Sequence, residues 1–252
     1  EMEICLKMIQ DPTLRYTRQI IMPEIGTSGQ EKLCKARVLV AGAGGLGSSS
    51  ALYLAAAGIG TIFIADDDTV EISNLNRQII HAEPDLGKSK SISAKQSMSD
   101  LNSSIRVICV EKRLTREVLL DVVDKIDLII DATDNYQTRR LINRTSILAD
   151  KPWIFGGVQG FDGMTSFFHP PHTPCFECII PFPKNKKEGF KGIIGPAAGI
   201  IGASQAMAAI KFFLGIKTGL DNRLMTLTGK DFRFCFTRLD RIPKCHTCGI
   251  LH

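Results

Sequence analysis

The chain has 252 residues, 44% of them hydrophobic and 23% charged, with 31 basic against 26 acidic side chains for a formal charge of +5. That length buries a sizeable core and suits one extended α/β domain, and a composition free of low-complexity tracts and solenoid-length repeats excludes disordered and repeat classes. The positive surplus is mild and spread out apart from Lys184, Lys186, Lys187 and Lys191, so it fits a phosphate-bearing ligand and predicts no nucleic-acid partner.

The first strong pattern is Arg37–Ala41, a β-branched apolar run leading into Gly42-Ala43-Gly44-Gly45-Leu46-Gly47 and a breaker-free stretch to Ala57. It reads as strand, glycine turn and helix. Glycines let the backbone approach a phosphate, and the helix N-terminus supplies N–H donors and partial positive charge, so Gly42, Gly44, Gly45 and Gly47 are candidate nucleotide contacts. The fingerprint alone does not separate NAD from ATP. The next apolar run, Thr61–Ala65, ends in Asp66, Asp67 and Asp68, and Asp66 stands where an acid meets a ribose hydroxyl of either nucleotide or serves as a loop-capping carboxylate. Arg77 and Lys90 follow. Cations just past the ribose acid suit triphosphate chemistry and are not needed by a nicotinamide site; the alternative makes both solvated surface charges.

Further on, a helix over 88–101, a strand at Arg106–Val110, a helix over 115–123, a strand over 127–131 and a helix at Tyr136–Ala149 predict a doubly wound, mainly parallel sheet. Asp134, just past the last of these strands, is either a hard oxygen ligand for Mg2+ or the N-cap of the following helix. Then the grammar changes: strands over 153–158, 164–169, 224–227 and 232–237, with a long helix after Pro196 among them, predict an antiparallel extension of the sheet. The stretch 193–210 is the most membrane-like, yet it contains Pro196, Ser204 and Gln205 and is followed by Lys211. Its small residues predict close packing in a protein interior or dimer interface, with no membrane partner.

Four of the eight cysteines form two CxxC pairs, Cys175/Cys178 and Cys245/Cys248. Four thiolates with this spacing predict a closed, structural Zn2+ site, against an iron–sulfur cluster or unrelated buried thiols. His246, inside the second pair, is surplus to four thiolates and reads as solvent-facing. Cys34, Cys109 and Cys235 fall in predicted helices or strands and read as core thiols. Glu1-Met2-Glu3 lacks the basic region and apolar run of a secretory signal, which together with the CxxC pairs predicts a reducing cytoplasmic setting.

Taken in order, Arg15-Tyr16-Thr17-Arg18-Gln19-Ile20, the GAGGLG loop, Asp66, Asn74-Leu75-Asn76-Arg77-Gln78, Asp131-Ala132-Thr133-Asp134-Asn135 and the paired CxxC motifs resemble the MoeB/ThiF (HesA) family of adenylating enzymes, related to ubiquitin-activating enzymes. The resemblance runs from about residue 14 to 249. It implies an α/β, Rossmann-like fold over 1–252, with an N-terminal helical arm over about 1–35, a nucleotide-binding half over 36–150 and an antiparallel extension with crossover loop and zinc site over 151–252.

It also implies ATP-dependent adenylation of a carboxylate, in which Asp66 binds ribose, Arg77 and Lys90 contact phosphates, and Asn74 and Gln78 support the pocket. Asp134 would hold Mg2+, and Arg18 would reach into the partner's site of a homodimer. The expected substrate is the C-terminal carboxylate of a ubiquitin-like sulfur-carrier protein. Many relatives carry a cysteine in the crossover loop, whereas 183–195 contains none and Glu188 stands at the matching place. That departure argues against a covalent step on the enzyme and keeps a second substrate class open, a small carboxylic acid such as the pyridinol acid of the iron hydrogenase cofactor. An NAD-dependent oxidoreductase is the distant alternative.

Overall fold

The computed structural model describes residues 12–180 and 192–249. Glu188 and the lysines at 184, 186, 187 and 191, and with them the loop expectation, lie outside the described residues. The described residues open with the helices α1 (Pro12–Arg15), α2 (Thr17–Ile20) and α3 (Gly26–Lys35). They are followed by β1 (Arg37–Ala41), α4 (Gly45–Ala57), β2 (Thr61–Ala65), α5 (Lys90–Leu101), β3 (Arg106–Val110), α6 (Arg116–Val123), β4 (Leu128–Asp131) and α7 (Tyr136–Ala149). The second half adds β5 (Trp153–Gln159), β6 (Asp162–Phe168), the single turn α8 (Phe176–Ile179), the long α9 (Gly195–Leu214), β7 (Arg223–Thr228) and β8 (Arg233–Arg238).

The eight strands of the described residues join one sheet in the order β3-β2-β1-β4-β5-β6-β7-β8. The first five are mutually parallel and the last three antiparallel, as the change of pattern after residue 150 predicts. Parallel strands are covered on both faces, and here alternate residues separate into two cores. Val38, Val40, Ile62, Ile64, Leu128 and Ile130 pack with α4, α5 and α9. Leu39, Phe63, Ile129, Trp153 and Phe155 pack with α6, α7 and α8.

Helix α9 is long and apolar enough, by length and composition, to cross a membrane. Its small residues are used otherwise. Ala197, Ala198, Gly202, Ala206 and Ala209 are buried, and a Cβ on Gly202 would stand 2.0 Å from Ser49 Oγ and 2.4 Å from the Leu46 carbonyl oxygen of α4. Close approach of two helices in a core requires such residues.

Helix α5 begins at Lys90, two residues later than the periodicity indicates. The preceding residues pair back onto the loop after β2: Thr69 and Ser89 form a bridge, and the Lys90 N–H donates to the Asp68 carbonyl. The core-thiol expectation is corrected at Cys34 and Cys235, which are exposed, while Cys109 is half-buried. Cys34 lies off the face that α3 buries through Gly29, Gln30 and Leu33, and Cys235 belongs to an edge strand exposed along its whole length. His246 is exposed, as expected.

Candidate functional site

The chain runs β1, β2, β3 outward in one direction and then places β4 on the other side of β1. Strand order therefore reverses between β1 and β4, and the loops leaving their C-terminal ends diverge to make a crevice, the usual ligand position in an open α/β sheet. The glycine loop leaves β1 there, and the Asp131–Asp134 turn leaves β4.

The loop's glycines have different jobs. Gly42 has φ +103°, and a Cβ on it would meet the Ala132 carbonyl at 2.7 Å. A Cβ on Gly47 would stand 1.9 Å from the Gly42 carbonyl oxygen, and one on Gly45 would stand 3.0 Å from Ala198 Cβ. These three let the turn pack on itself and on α9. Gly44 instead opens outward, the nearest atom to its missing Cβ being Gln78 Nε2 at 3.8 Å. Gly44 precedes the first turn of α4, whose N–H groups have no partners within the helix.

Asp66 caps this loop. Its Oδ2 accepts the Ala43 N–H at 2.7 Å and its Oδ1 the Asp68 N–H at 3.0 Å. Burial pushes its carboxyl up, against the pull of those two N–H groups and of Lys90. A carboxylate has about four acceptor positions, so two remain. Lys90 is 6% exposed, its Nζ held 2.8 Å from Asp68 Oδ2, and it is thus a buried cation beside the crevice, not a solvated one. Arg77 donates through Nη1 to the Ser73 carbonyl and to Asn76 Oδ1, and its main chain lies against Gly45 and Gly195. Asn74 is buried and accepts the Glu71 N–H, closing the short turn that leads to Arg77. Gln78 is buried, and among the described residues its Oε1 has no hydrogen-bond partner.

Asp134 is exposed at the mouth of the crevice. It does not cap α7; that role falls to Asn135, whose Oδ1 accepts the Thr138 N–H at 2.8 Å. Arg18 is not brought to this site. It is exposed on α2, which is tied to the opposite end of α4 by Gln19 Nε2 donating to the Ala57 carbonyl. The 13 residues of α4 span about 20 Å at 1.5 Å per residue.

Sequence reasoning passed over two residues. Arg139 donates from Nε to the fully buried Asp131 Oδ2 at 3.3 Å and from Nη2 to the carbonyls of Thr133 and Gly156, stitching the β4 turn to β5. Its signal was available: a carboxylate ending a buried strand needs a cation. His81, 6% exposed, bonds the Ala43 carbonyl and Ser93 Oγ; a lone histidine between apolar neighbours offers no such signal.

At the far side of the molecule the two CxxC pairs meet. The Sγ–Sγ separations are 3.8 Å for Cys175 and Cys178, 3.6 Å for Cys175 and Cys245, and 3.5 Å for Cys178 and Cys248. All four sulfurs lie within 4.8 Å of one another. These gaps are far beyond an S–S bond of about 2.05 Å and close to the edge of a thiolate tetrahedron, about 3.8 Å for a metal–sulfur bond of about 2.3 Å. Burial pushes the Cys175 thiol up, whereas at Cys245 backbone N–H groups and neighbouring sulfurs outweigh burial and lower it to about 7. Glu177 bridges the knuckles, accepting from Arg140 at 2.7 Å and from Thr247.

The family model for the ThiF family matches residues 16–249. The chain is 40% identical, over 96% of its length, to the adenylyltransferase and sulfurtransferase MOCS3 of Dictyostelium discoideum, and it spans only 60% of that relative's length. It is 38% identical to the sulfur carrier protein ThiS adenylyltransferase of Escherichia coli, covering 94% of this chain and 95% of the relative. With the sulfur carrier protein adenylyltransferase of Thermus thermophilus the identity is 37%, over 93% and 90%. In fold it is similar to Escherichia coli MccB crystallised with ATP, with a TM-score of 0.83 at 24% identity, covering 96% of this chain and 76% of that one.

Removing Arg139 leaves the Asp131 carboxylate buried and unpaired. Burial already raises this carboxyl, so its contribution to stability is present below its unfolded value of 3.8 and is lost as pH rises through the folded value. Arg139→Ala is expected to raise it further and to cost about 3 kcal/mol, more at pH 8 than at pH 5. Denaturant midpoints across pH test this, and a loss that shrinks as pH rises would contradict the ion-pair account.

Proposed function

Because the chain belongs to the ThiF family, we propose that it catalyses ATP-dependent adenylation of a carboxylate, most specifically the C-terminal carboxylate of a ubiquitin-like sulfur-carrier protein. The observation that carries the reading is the pairing of a half-buried acid, Asp66, with a buried cation, Lys90, at the crevice where Gly44 opens outward. The relatives named as sulfur carrier protein adenylyltransferases, spanned over 90% and 95% of their length, support the substrate class.

In this reaction a carboxylate oxygen attacks the α-phosphorus of ATP. The bond to the bridging oxygen breaks, and acyl-AMP and pyrophosphate result. Asp66 keeps its two backbone bonds and accepts from ribose with its remaining lone pairs. Lys90 exchanges Asp68 for phosphate oxygens, and Arg77, whose other guanidinium nitrogens make no hydrogen bond among the described residues, adds a second cation. Gln78 brings its side-chain amide beside Gly44 through Nε2, and Asn74 holds the turn carrying Arg77. Asp134, exposed and not engaged in capping, is the side chain to hold Mg2+, which supplies charge neutralisation at the phosphates. Charge stabilisation of this kind, in a site that positions both reactants, needs no nucleophile from the protein.

Cys175, Cys178, Cys245 and Cys248 are the set to hold Zn2+, with a structural part: they join the segment after β6 to the segment after β8. Metal binding to a folded-only site is folding energy. Chelation is therefore expected to release one Zn2+ per chain and lower the melting temperature. A stable, fully folded sample with far less than one equivalent of zinc would overturn this assignment.

Arg18 lies too far from its own chain's Gly44 to serve it, and the reading gives it to the other subunit of a symmetric dimer. Substrate-dependent ATP–pyrophosphate exchange tests the function. Carrier proteins should drive exchange, small carboxylic acids should not, and Asp134→Ala should lose roughly 100-fold. Exchange driven only by small acids would replace the carrier reading, and none with either would end the adenylation reading.

Mixing inactive Arg18→Ala and Asp134→Ala chains should restore activity in roughly a quarter of sites, since random pairing gives half heterodimers, each with one intact site. Recovery of nothing on mixing would place Arg18 outside a shared site.

A further inference from the structure

Ala43 is gripped on both sides. Its N–H donates to Asp66 Oδ2 at 2.7 Å, and its carbonyl oxygen lies 3.0 Å from His81 Nε2. The opposite ring nitrogen, Nδ1, lies 2.8 Å from Ser93 Oγ on α5. A carbonyl only accepts, so Nε2 carries a proton, and in the neutral ring Nδ1 accepts from the Ser93 hydroxyl. Burial favours that neutral ring and lowers His81, with Lys90 adding to the effect and the bond to the Ala43 carbonyl, Asp66 and Asp85 opposing it.

The grip falls where the backbone is softest. Gly42 precedes Ala43 and Gly44 follows it, and neither has a side chain to limit rotation of the flanking bonds. In a trans peptide the carbonyl and the next N–H point in opposite directions. Fixing the Ala43 carbonyl on His81 therefore fixes the Gly44 N–H on the far side. Among the described residues that N–H has no acceptor. A flip of the Ala43–Gly44 peptide would turn a carbonyl oxygen, and its partial negative charge, toward the place where Gly44 opens.

We propose that His81 is a positioning residue for nucleotide phosphate: through the Ala43 carbonyl it holds the Ala43–Gly44 peptide with its N–H turned outward to donate to a phosphate oxygen. The assignment rests on the adenylation reading for the identity of the nucleotide. It gives a reason for a buried, hydrogen-bonded histidine behind a loop that it does not cover, and it ties the loop to α5, the helix that carries Lys90. The two groups meant for phosphate are thus held in one frame, Lys90 by the start of α5 and the Gly44 N–H by His81 braced on Ser93.

The test is calorimetric binding of ATP with Mg2+ to the full chain, alongside the exchange assay on the unaltered protein. His81→Leu keeps the volume and removes the donor, and it should weaken ATP binding about tenfold, the factor equivalent to one neutral hydrogen bond. His81→Gln restores a donor and should recover most of the loss, a rescue that a purely space-filling role would not produce. Folding is checked by circular dichroism. If His81→Leu does not fold, Ser93→Ala, which frees the other side of the ring, should weaken ATP binding about threefold. Unchanged ATP affinity in folded His81→Leu, or in Ser93→Ala where that variant is the one read, overturns the proposal, as does equal damage in His81→Leu and His81→Gln. A wild type that binds ATP but exchanges with no carboxylate overturns the adenylation reading and leaves the loop assignment to stand or fall on the variants. A wild type that binds no ATP overturns both.

Discussion

The rest of the molecule depends on the reversal of strand order between β1 and β4. Right-handed crossovers from β1 through β2 to β3 place their helices on one face, and the return to β4 places its helices on the other. The two loops at the reversal are therefore pulled apart by helices departing to opposite faces. Everything acidic or cationic in the site gathers there because the topology leaves room there.

Room alone does not fix polar groups, and the crevice is lined by a second set of interactions directed inward. Asp131 with Arg139 anchors one lip, and Asp66 with His81 anchors the other. Each anchor uses a buried titratable group to hold backbone, which leaves exposed Asp134 out of the cap of α7 and half-exposed Arg77 tied by one guanidinium nitrogen only, to Ser73 and Asn76. Buried charge costs stability unless fully bonded. Here the carboxylates of Asp66 and Asp131 both accept backbone N–H groups, which offsets part of the cost of burial.

Much of the fold was legible because each element has a strong period and a clear stop. β1, β2, β3 and α7 begin and end where the apolar runs do, and Gly42, Asp66, Glu111 and Asp150 mark their ends. The glycine loop, Asp66 and the CxxC pairs were legible because spacing along the chain already brings together what the site needs. Arg139 and His81 were not, since each acts on residues far away in sequence and neither belongs to a spaced motif. Burial of single cysteines also escaped: membership of a strand or helix does not say which face a residue takes, and Cys34 and Cys235 take the outer one. The start of α5 moved for a similar reason, as the bridge from Thr69 to Ser89 is a tertiary contact.

An eight-stranded sheet that does not close has two rims, and they are unlike. β3 lies beside α5, whereas β8 is exposed at all six positions and, among the described residues, leaves one side of its backbone unladdered. Phe234 and Phe236 stand on one face of that strand at 47% and 51% exposure, with Arg223 of β7 over the Phe236 ring at 5.5 Å. An unpaired, aromatic rim is a template for further strands and so for self-association. Arg233 and Arg238 bound the strand at its two ends, and the twofold repulsion of these cations between copies works against an antiparallel match of one rim with another. The chain thus keeps an open border that is sticky by shape and guarded by charge.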